Sequence, residues 1–442
     1  MLNIGYKSIL KMAIPLMAST FIQSIVLITD SSFLSRFDIL AYDAVGNGGL
    51  IYITLFMALV GLNDGSQILM ARRIGESKEK ILPQIFGSSL LSNLLITILL
   101  FVLISSVLPN FILDYSKNKI IAQGQIDYIH YRSYGLFFAS ITLAINAYFM
   151  AIGRTTFVLY SAIFIAVSNI GLDYLLIFGN GSIPALGIKG AAIASTLADG
   201  VGALFLIIAL FFSKSQRYHQ LIKHFSFGYK NLIALFKISS PIMLQGFIAL
   251  FTWTIFFTWI EQIGTFELTV SQNIRSLYFL AFVPVWGFGA TTKTFVSHYI
   301  GKKDYVSVKI IIKKIQILTL AFTFLFFHGA ILYPEEMIAL VNPNDIYIKE
   351  SASILRFVFG AVILYGASSI YFQAINGTGN TRVNFFIELI AVIIYLMVAY
   401  ILIKVLEMNI FWIWSVEYYY FTTIGLLSFI YIRFFNWKKK II

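Results

Sequence analysis

The chain has 442 residues, 59% of them hydrophobic and 12% charged, with 32 Lys and Arg against 20 Asp and Glu for a formal net charge of +12. Soluble domains carry roughly 25% charged residues, so a chain this long and this apolar is excluded from the soluble class and reads as a polytopic membrane protein. The basic excess falls at the ends of apolar runs rather than in one patch, which makes it a topology signal and not a nucleic-acid surface.

Without cysteine, disulfides and thiolate metal sites are excluded. About 20 apolar residues cross a bilayer as a helix. Twelve spans are predicted, at 9–34, 45–70, 85–108, 125–152, 157–179, 187–212, 236–261, 267–299, 311–333, 350–374, 383–405 and 410–435. The first follows Lys7 and Lys11, lacks a small-residue cleavage site and reads as a retained helix, not a signal peptide. With both termini in the cytoplasm, most basic residues fall on the inner loops, among them Arg72, Arg73, Lys78, Arg154, Lys214, Arg217, Lys302, Lys303, Arg382 and Lys440. No loop is long enough for a soluble catalytic domain, so no enzyme is expected. The longest polar stretch, Ser213 to Tyr229, reads as a linker, giving a six-helix lobe at 1–212, a linker at 213–235 and a second six-helix lobe at 236–442.

The two halves repeat at a constant offset of 226 residues, without a gap from residue 11 to residue 75. Identities include Pro15/Pro241, Met17/Met243, Asn47/Asn273, Tyr52/Tyr278, Gly61/Gly287 and Gly75/Gly301, and the register returns at Gly153-Arg154-Thr155 against Gly379-Asn380-Thr381. Six helices per copy is an even number, so both copies enter the membrane the same way. That predicts an all-α protein of two lobes related by a pseudo-two-fold axis along the membrane normal, with a cleft between them.

Asp30 lies in the first span and Asp173 in the fifth, each near the outer end of its helix. A carboxylate at a helix centre in lipid costs about 2.5–3.5 kcal/mol, so such residues are functional candidates by default. Asn169 and Asp173 are four apart and share a face. Ser195 and Thr196 enter at a similar depth from the sixth span, and at 1.5 Å per residue the set falls within a band about 10 Å deep. Two carboxylates, an amide oxygen and a hydroxyl suit a proton relay or a hard cation such as Na+, held at Asp30, Asn169 and Asp173. The competing readings are a helix cap for Asp30 and a plain interhelical hydrogen bond for Asn169 and Asp173. Asp199 fits an extension of the acidic network and a satisfied polar group equally well, and Asn146 fits substrate contact and packing equally well. Asp64 reads as structural.

Several motifs, in order over twelve spans, give the chain its resemblance to the multidrug and toxic compound extrusion family. They are Pro15 with Leu27-Ile28-Thr29-Asp30-Ser31, Ala71-Arg72-Arg73-Ile74-Gly75, Ala151-Ile152-Gly153-Arg154-Thr155, Asn169-Ile170-Gly171-Leu172-Asp173, and Leu186-Gly187-Ile188-Lys189-Gly190-Ala191. The resemblance implies an antiporter that expels drug-like organic cations or other amphipathic molecules in exchange for H+ or Na+. It also implies a cation site built from the first, fifth and sixth helices of the N-lobe. One branch of the family uses acids of helices seven and ten for Na+; here Ala249 stands at the seventh-helix place and helix ten has no acid past its entrance. The reading is therefore an N-lobe coupled exporter, H+ before Na+, with no other cofactor, functional as a monomer in a bacterial cytoplasmic (inner) membrane.

In the second half Asp30 meets Phe256, Asn169 meets Tyr395 and Asp173 meets Ala399 at the repeat offset, which places coupling acid in one lobe only. Gln245, Trp253, Tyr278 and Trp286 are candidate substrate contacts, since aromatic faces hold organic cations, although packing is the commoner role of such residues. Arg275 and Lys293 are unexpected in a cation exporter; Lys293 has Glu388 as a candidate partner. Basic residues in the cleft keep a lipid-linked oligosaccharide flippase as the alternative transporter. A multispan membrane transferase would need polar catalytic groups clustered at one interface, and no such cluster is visible. The five histidines show no metal spacing and no phosphate-binding loop occurs.

Overall fold

The computed structural model describes residues 2–115, 119–181, 183–211, 221 and 223–439. The start of the expected linker, with Lys214 and Arg217, and Lys440 at the tail lie outside the described residues. Lipid offers no partners for backbone N–H and C=O groups, so apolar runs of this length satisfy them internally as helices. The helices are α1 (Tyr6–Phe37), α2 (Ile39–Gly75), α3 (Leu82–Val102), α4 (Lys119–Ser133), α5 (Gly135–Ala151), α6 (Thr156–Phe178) and α7 (Ile188–Phe211). They continue with α8 (Tyr229–Glu261), α9 (Thr265–Gly301), α10 (Tyr305–Phe327), α11 (Asp345–Gly377), α12 (Thr381–Tyr400) and α13 (Val416–Phe434). A π-helical turn at Leu103–Val107 carries α3 on into Leu108–Tyr115, and another at Ile401–Val405 closes α12.

Among the described residues, ten helical stretches are long and apolar enough to cross a bilayer, and α4 with α5, bent by 48° at their junction, supplies an eleventh. The last, α13, matches the twelfth expected span but opens with Glu417 followed by Tyr418, Tyr419 and Tyr420 and is not among those stretches. Several helices start on a side-chain cap: Asp38 accepts from Leu40 N at 3.3 Å and Ala41 N at 3.2 Å, and Asp304 accepts from Ser307 N at 3.0 Å.

The described chain divides into two compact units, Ala18–Met243 and Met1–Met17 with Leu244–Ile442. These boundaries fall inside helices. The first turns of α1 belong to the C-terminal unit and the rest to the N-terminal one, while α8 runs the opposite way. The crossing points, Met17 and Met243, are a matched pair of the repeat, and each lies two residues after a proline inside an unbroken helix, Pro15 or Pro241. Proline removes one helix hydrogen bond, so each exchanged helix is weakened where it leaves its unit.

The repeat identities have backbone causes. In the N-terminal unit a Cβ on Gly61 would lie 2.6 Å from Met243 N and Cα; in the C-terminal unit a Cβ on the matched Gly287 would lie 2.4 Å from Met17 Cγ and 3.1 Å from Met17 N. Each glycine is thus the seat for an exchanged helix. Gly153 and Gly379 take φ of +73° and +83°, and Ser77 and Lys303, also a repeat pair, take +59° and +60°. The same left-handed turns therefore end α2 and α9, and α5 and α11. Polar seams add specificity inside the N-terminal unit. Asn63 and Asn93 exchange reciprocal bonds of 2.8 Å and 3.1 Å, and Ser66 meets Ser89 at 2.7 Å.

Candidate ion-coupling site

Two close approaches fix the register of α7 on α6. A Cβ on Gly190 would lie 2.4 Å from the Leu176 carbonyl oxygen, and one on Gly202 would lie 2.4 Å from Ile165 Cγ1. Between these two contacts Asn169 Nδ2 donates to Ser195 Oγ at 3.2 Å. Asp173, one turn further along the same face of α6, is 0% exposed. The end of α1 is held to α6 by aromatic contacts, with Phe33 6.3 Å from Tyr174 and 5.8 Å from Phe178 between ring centroids. That docking brings the Asp30 carboxyl beside the Asp173 carboxyl. Asp30 Oδ1, both Asp173 oxygens and Asn169 Oδ1 are buried without a hydrogen-bond partner. Adjacent carboxylates repel unless a proton or a cation stands between them, and a pair of this kind is able to take one.

The other expected members of the set face elsewhere. Thr196 donates to the Tyr131 carbonyl of α4 at 3.1 Å. Asp199 accepts from Arg132 Nη1 at 2.7 Å, with the two side chains 14% and 15% exposed. Of the two readings left open for Asp199, the satisfied polar group is the one the geometry matches. The Arg132 guanidinium also lies 4.6 Å from the centroid of the Tyr52 ring, and its charge reaches Asp30 and Asp173. Gly135 leaves room for this pair, since a Cβ there would lie 2.1 Å from Arg132 Nη1 and 3.2 Å from Asp199 Oδ2. Arg132 was overlooked in the sequence; its signal was a lone guanidinium within the fourth span. Asn146 on α5 keeps a buried, unpartnered Oδ1.

The candidate substrate contacts scatter. Gln245 is buried and donates to the Thr381 carbonyl at 3.3 Å while accepting from Asn376 at 3.4 Å, a structural role at the start of α12. Trp253 is partly buried and stacks on Tyr278 with centroids 6.4 Å apart, against the core of the C-terminal unit. Trp286 is 41% exposed and packs on Phe279 and Phe282. The Arg275 guanidinium lies over the Phe257 ring at 4.8 Å, and Glu388 accepts from Tyr420 Oη at 2.6 Å. The expectation of acid in one lobe only needs correction. It compared repeat positions, and Glu388 and Glu417 are buried in the C-terminal unit at places where the first half has Ala162 and Ala191.

The MatE family profile matches the chain twice, at residues 15–175 and 241–401, the two matches standing at the same offset as the repeat. The chain belongs to the MatE family. It is therefore a multi-pass membrane protein of a transporter family and not an enzyme. It is 24% identical over 412 residues to the probable multidrug resistance protein NorM of Thermotoga maritima, covering 92% of this chain and 88% of that one. It is 20% identical to the probable multidrug resistance protein YoeA of Bacillus subtilis, covering 98% and 95%. Its fold is shared with a MOP superfamily transporter from Pyrococcus furiosus, described for the reversed polarity of its binding pocket, at a TM-score of 0.90 and 17% identity over 97% of this chain and 95% of that one. It is shared as well with a MATE transporter of Vibrio cholerae, at 0.85 and 18% identity over 98% of each.

Proposed function

We propose that this protein is an ion-coupled exporter of small amphipathic compounds, organic cations foremost, and that Asp30 and Asp173 carry the coupling ion. The relatives named as probable multidrug resistance proteins support the substrate class. The observation that carries the coupling is the adjacent carboxyl pair with its unpartnered, buried oxygens. One shared proton gives the pair a hydrogen bond and removes one negative charge, so H+ takes precedence over Na+. For Na+, Asn169 Oδ1 and Ser195 Oγ complete an oxygen set. Loading and unloading of the pair alters how α1 sits on α6, and α1 is the helix weakened at Pro15, which suits alternating access. Both termini lie in the cytoplasm, the membrane is the bacterial inner membrane, and one copy suffices.

The test is efflux of ethidium from proteoliposomes under an imposed pH gradient, then under a Na+ gradient, for wild type, Asp30→Asn and Asp173→Asn. Efflux driven by the pH gradient and lost in both variants is expected. Undiminished coupled efflux by Asp30→Asn refutes the assignment, and efflux driven by Na+ alone makes the same oxygens a sodium site.

A further inference from the structure

The C-terminal unit holds a second pair of buried acids that the coupling described above does not use. Glu388 on α12 and Glu417 in the first turn of α13 are 3% and 2% exposed. Each ionised carboxylate has a donor: Tyr420 Oη to Glu388 at 2.6 Å and Tyr395 Oη to Glu417 at 3.1 Å. Tyr395 and Tyr420 themselves meet with ring centroids 5.6 Å apart. Along α12, Asn384, Glu388 and Tyr395 lie on one face over about 16 Å of helix.

Two further polar side chains in this region are buried without a partner. Tyr278 is 0% exposed, its hydroxyl has no partner, and it lies within electrostatic reach of Glu417 and Tyr395. Asn384 is 0% exposed, one turn from Glu388, with both amide atoms unpartnered. A protonated carboxyl becomes a donor and needs an acceptor. The Tyr395 and Tyr420 hydroxyls, which donate to the ionised carboxylates, can turn to serve as those acceptors. The location is also that of the N-terminal site by the repeat. Phe256 and Tyr395, which stand where Asp30 and Asn169 stand, touch at 5.4 Å. Tyr278 matches Tyr52, whose hydroxyl is likewise buried and unpartnered. The carboxyl that α6 supplies in one unit is supplied by α13 in the other.

We propose that Glu388 and Glu417 form a second proton-binding pair, each carboxyl provided with a hydrogen-bond partner for its ionised and its protonated form. The ligand is H+ and not an organic molecule, because aromatic rings fill the surroundings: Trp414 sits 5.7 Å from Tyr278 and 5.8 Å from Phe256. The titratable groups facing the pair are phenols, namely Tyr278 of α9, Tyr365 of α11, Tyr395 of α12, and Tyr420 of α13, with Tyr418 beside Tyr278; α8 presents the Trp253 indole. Of the cations on α9, Arg275 is stacked on Phe257 at 4.8 Å, and Lys293 lies about 22 Å along the helix from Tyr278, at the end where its carbonyl meets Gly377.

Infrared titration of the lipid-reconstituted protein tests this separately from the N-terminal coupling, because it is done in an Asp30→Asn/Asp173→Asn background. The expected result is a protonated-carboxyl stretch that fades from acid to alkaline pH, is reduced by Glu388→Gln or Glu417→Gln, and is lost when both are combined. A band that does not titrate, or that survives both substitutions, overturns the proposal. If Glu417→Gln does not fold, Tyr395→Phe keeps the carboxyl and removes its hydroxyl partner; a shifted midpoint supports the pair and an unshifted one overturns it. Radioactive sodium bound in this background and lost in Glu417→Gln would make it a metal site and overturn the proton assignment.

Discussion

Replacing Arg132 by methionine tests whether the ion pair with Asp199 locks α4 to α7. At 2.7 Å and an effective dielectric near 20, the gross attraction is about 6 kcal/mol, while taking each ion out of water costs several kcal/mol. The intact pair therefore contributes little net stability. Removing one partner leaves the other charge buried alone, which costs about 3–5 kcal/mol. With the side chains 15% and 14% exposed, water relieves part of that penalty, and about 3 kcal/mol is expected for Arg132→Met or for Asp199→Leu. The double variant should lose far less than the sum, a coupling of about 2–3 kcal/mol. The measurement is unfolding of each variant in mixed micelles against SDS, followed by tryptophan fluorescence. Gly135→Ala serves as an internal check, since its methyl group would occupy the guanidinium position, 2.1 Å from Nη1, and should reproduce part of the Arg132→Met loss. Additive single losses, or an Arg132→Met variant as stable as wild type, would refute the reasoning.

Gly61→Ala should destabilise the protein by about 1–3 kcal/mol and more than Gly287→Ala, because its methyl would meet Met243 backbone at 2.6 Å whereas the other first meets the movable Met17 side chain; thermal unfolding ranks the two. Ser195→Ala leaves the Asn169 amide without its 3.2 Å partner and should cost about 1 kcal/mol, with altered coupled efflux as the readout that separates a site role from packing. Asp304→Ala should cost about 1 kcal/mol by loss of the α10 cap. Hydrogen bonds from Ser307 hold the Asp304 carboxyl below the usual range, so its contribution is present at neutral pH and is lost as pH falls through that depressed value. Thermal melts of wild type and variant should therefore converge in acid.

The helices and the repeat were legible because both depend on residue type at fixed spacing: apolar runs of bilayer length, and prolines, glycines and asparagines that recur at one offset. The reason for the repeat was not legible. Gly61 reads as any helical glycine until Met243 is found against it, and nothing in the order of residues tells that α1 and α8 cross between the compact units. At the site, the spacing of Asn169 and Asp173 gave their shared face directly, and motif order supplied Asp30. Asp199 could not be resolved, since its partner, Arg132, lies 67 residues away on another helix. Glu417 was missed for another reason. It opens a span rather than lying in the middle of one, and a charge at a span end is ordinarily a surface residue; here it is 2% exposed and bonded to Tyr395.

The two halves agree in backbone and differ in chemistry, and the kind of position explains which is which. Gly61/Gly287, Gly153/Gly379 and Ser77/Lys303 serve contacts or turns that the fold requires in each unit, so a change at one must be answered by a shift of a whole helix. Asp30/Phe256, Asn169/Tyr395 and Asp173/Ala399 point into interior space that neighbouring side chains can refill. The C-terminal unit refilled it with aromatic rings, and those rings surround a carboxyl that enters from a different helix. A duplicated frame can in this way keep an ionisable group at the same place in both halves while the residue that supplies it moves to another helix, which an offset comparison of the sequence alone records as a loss.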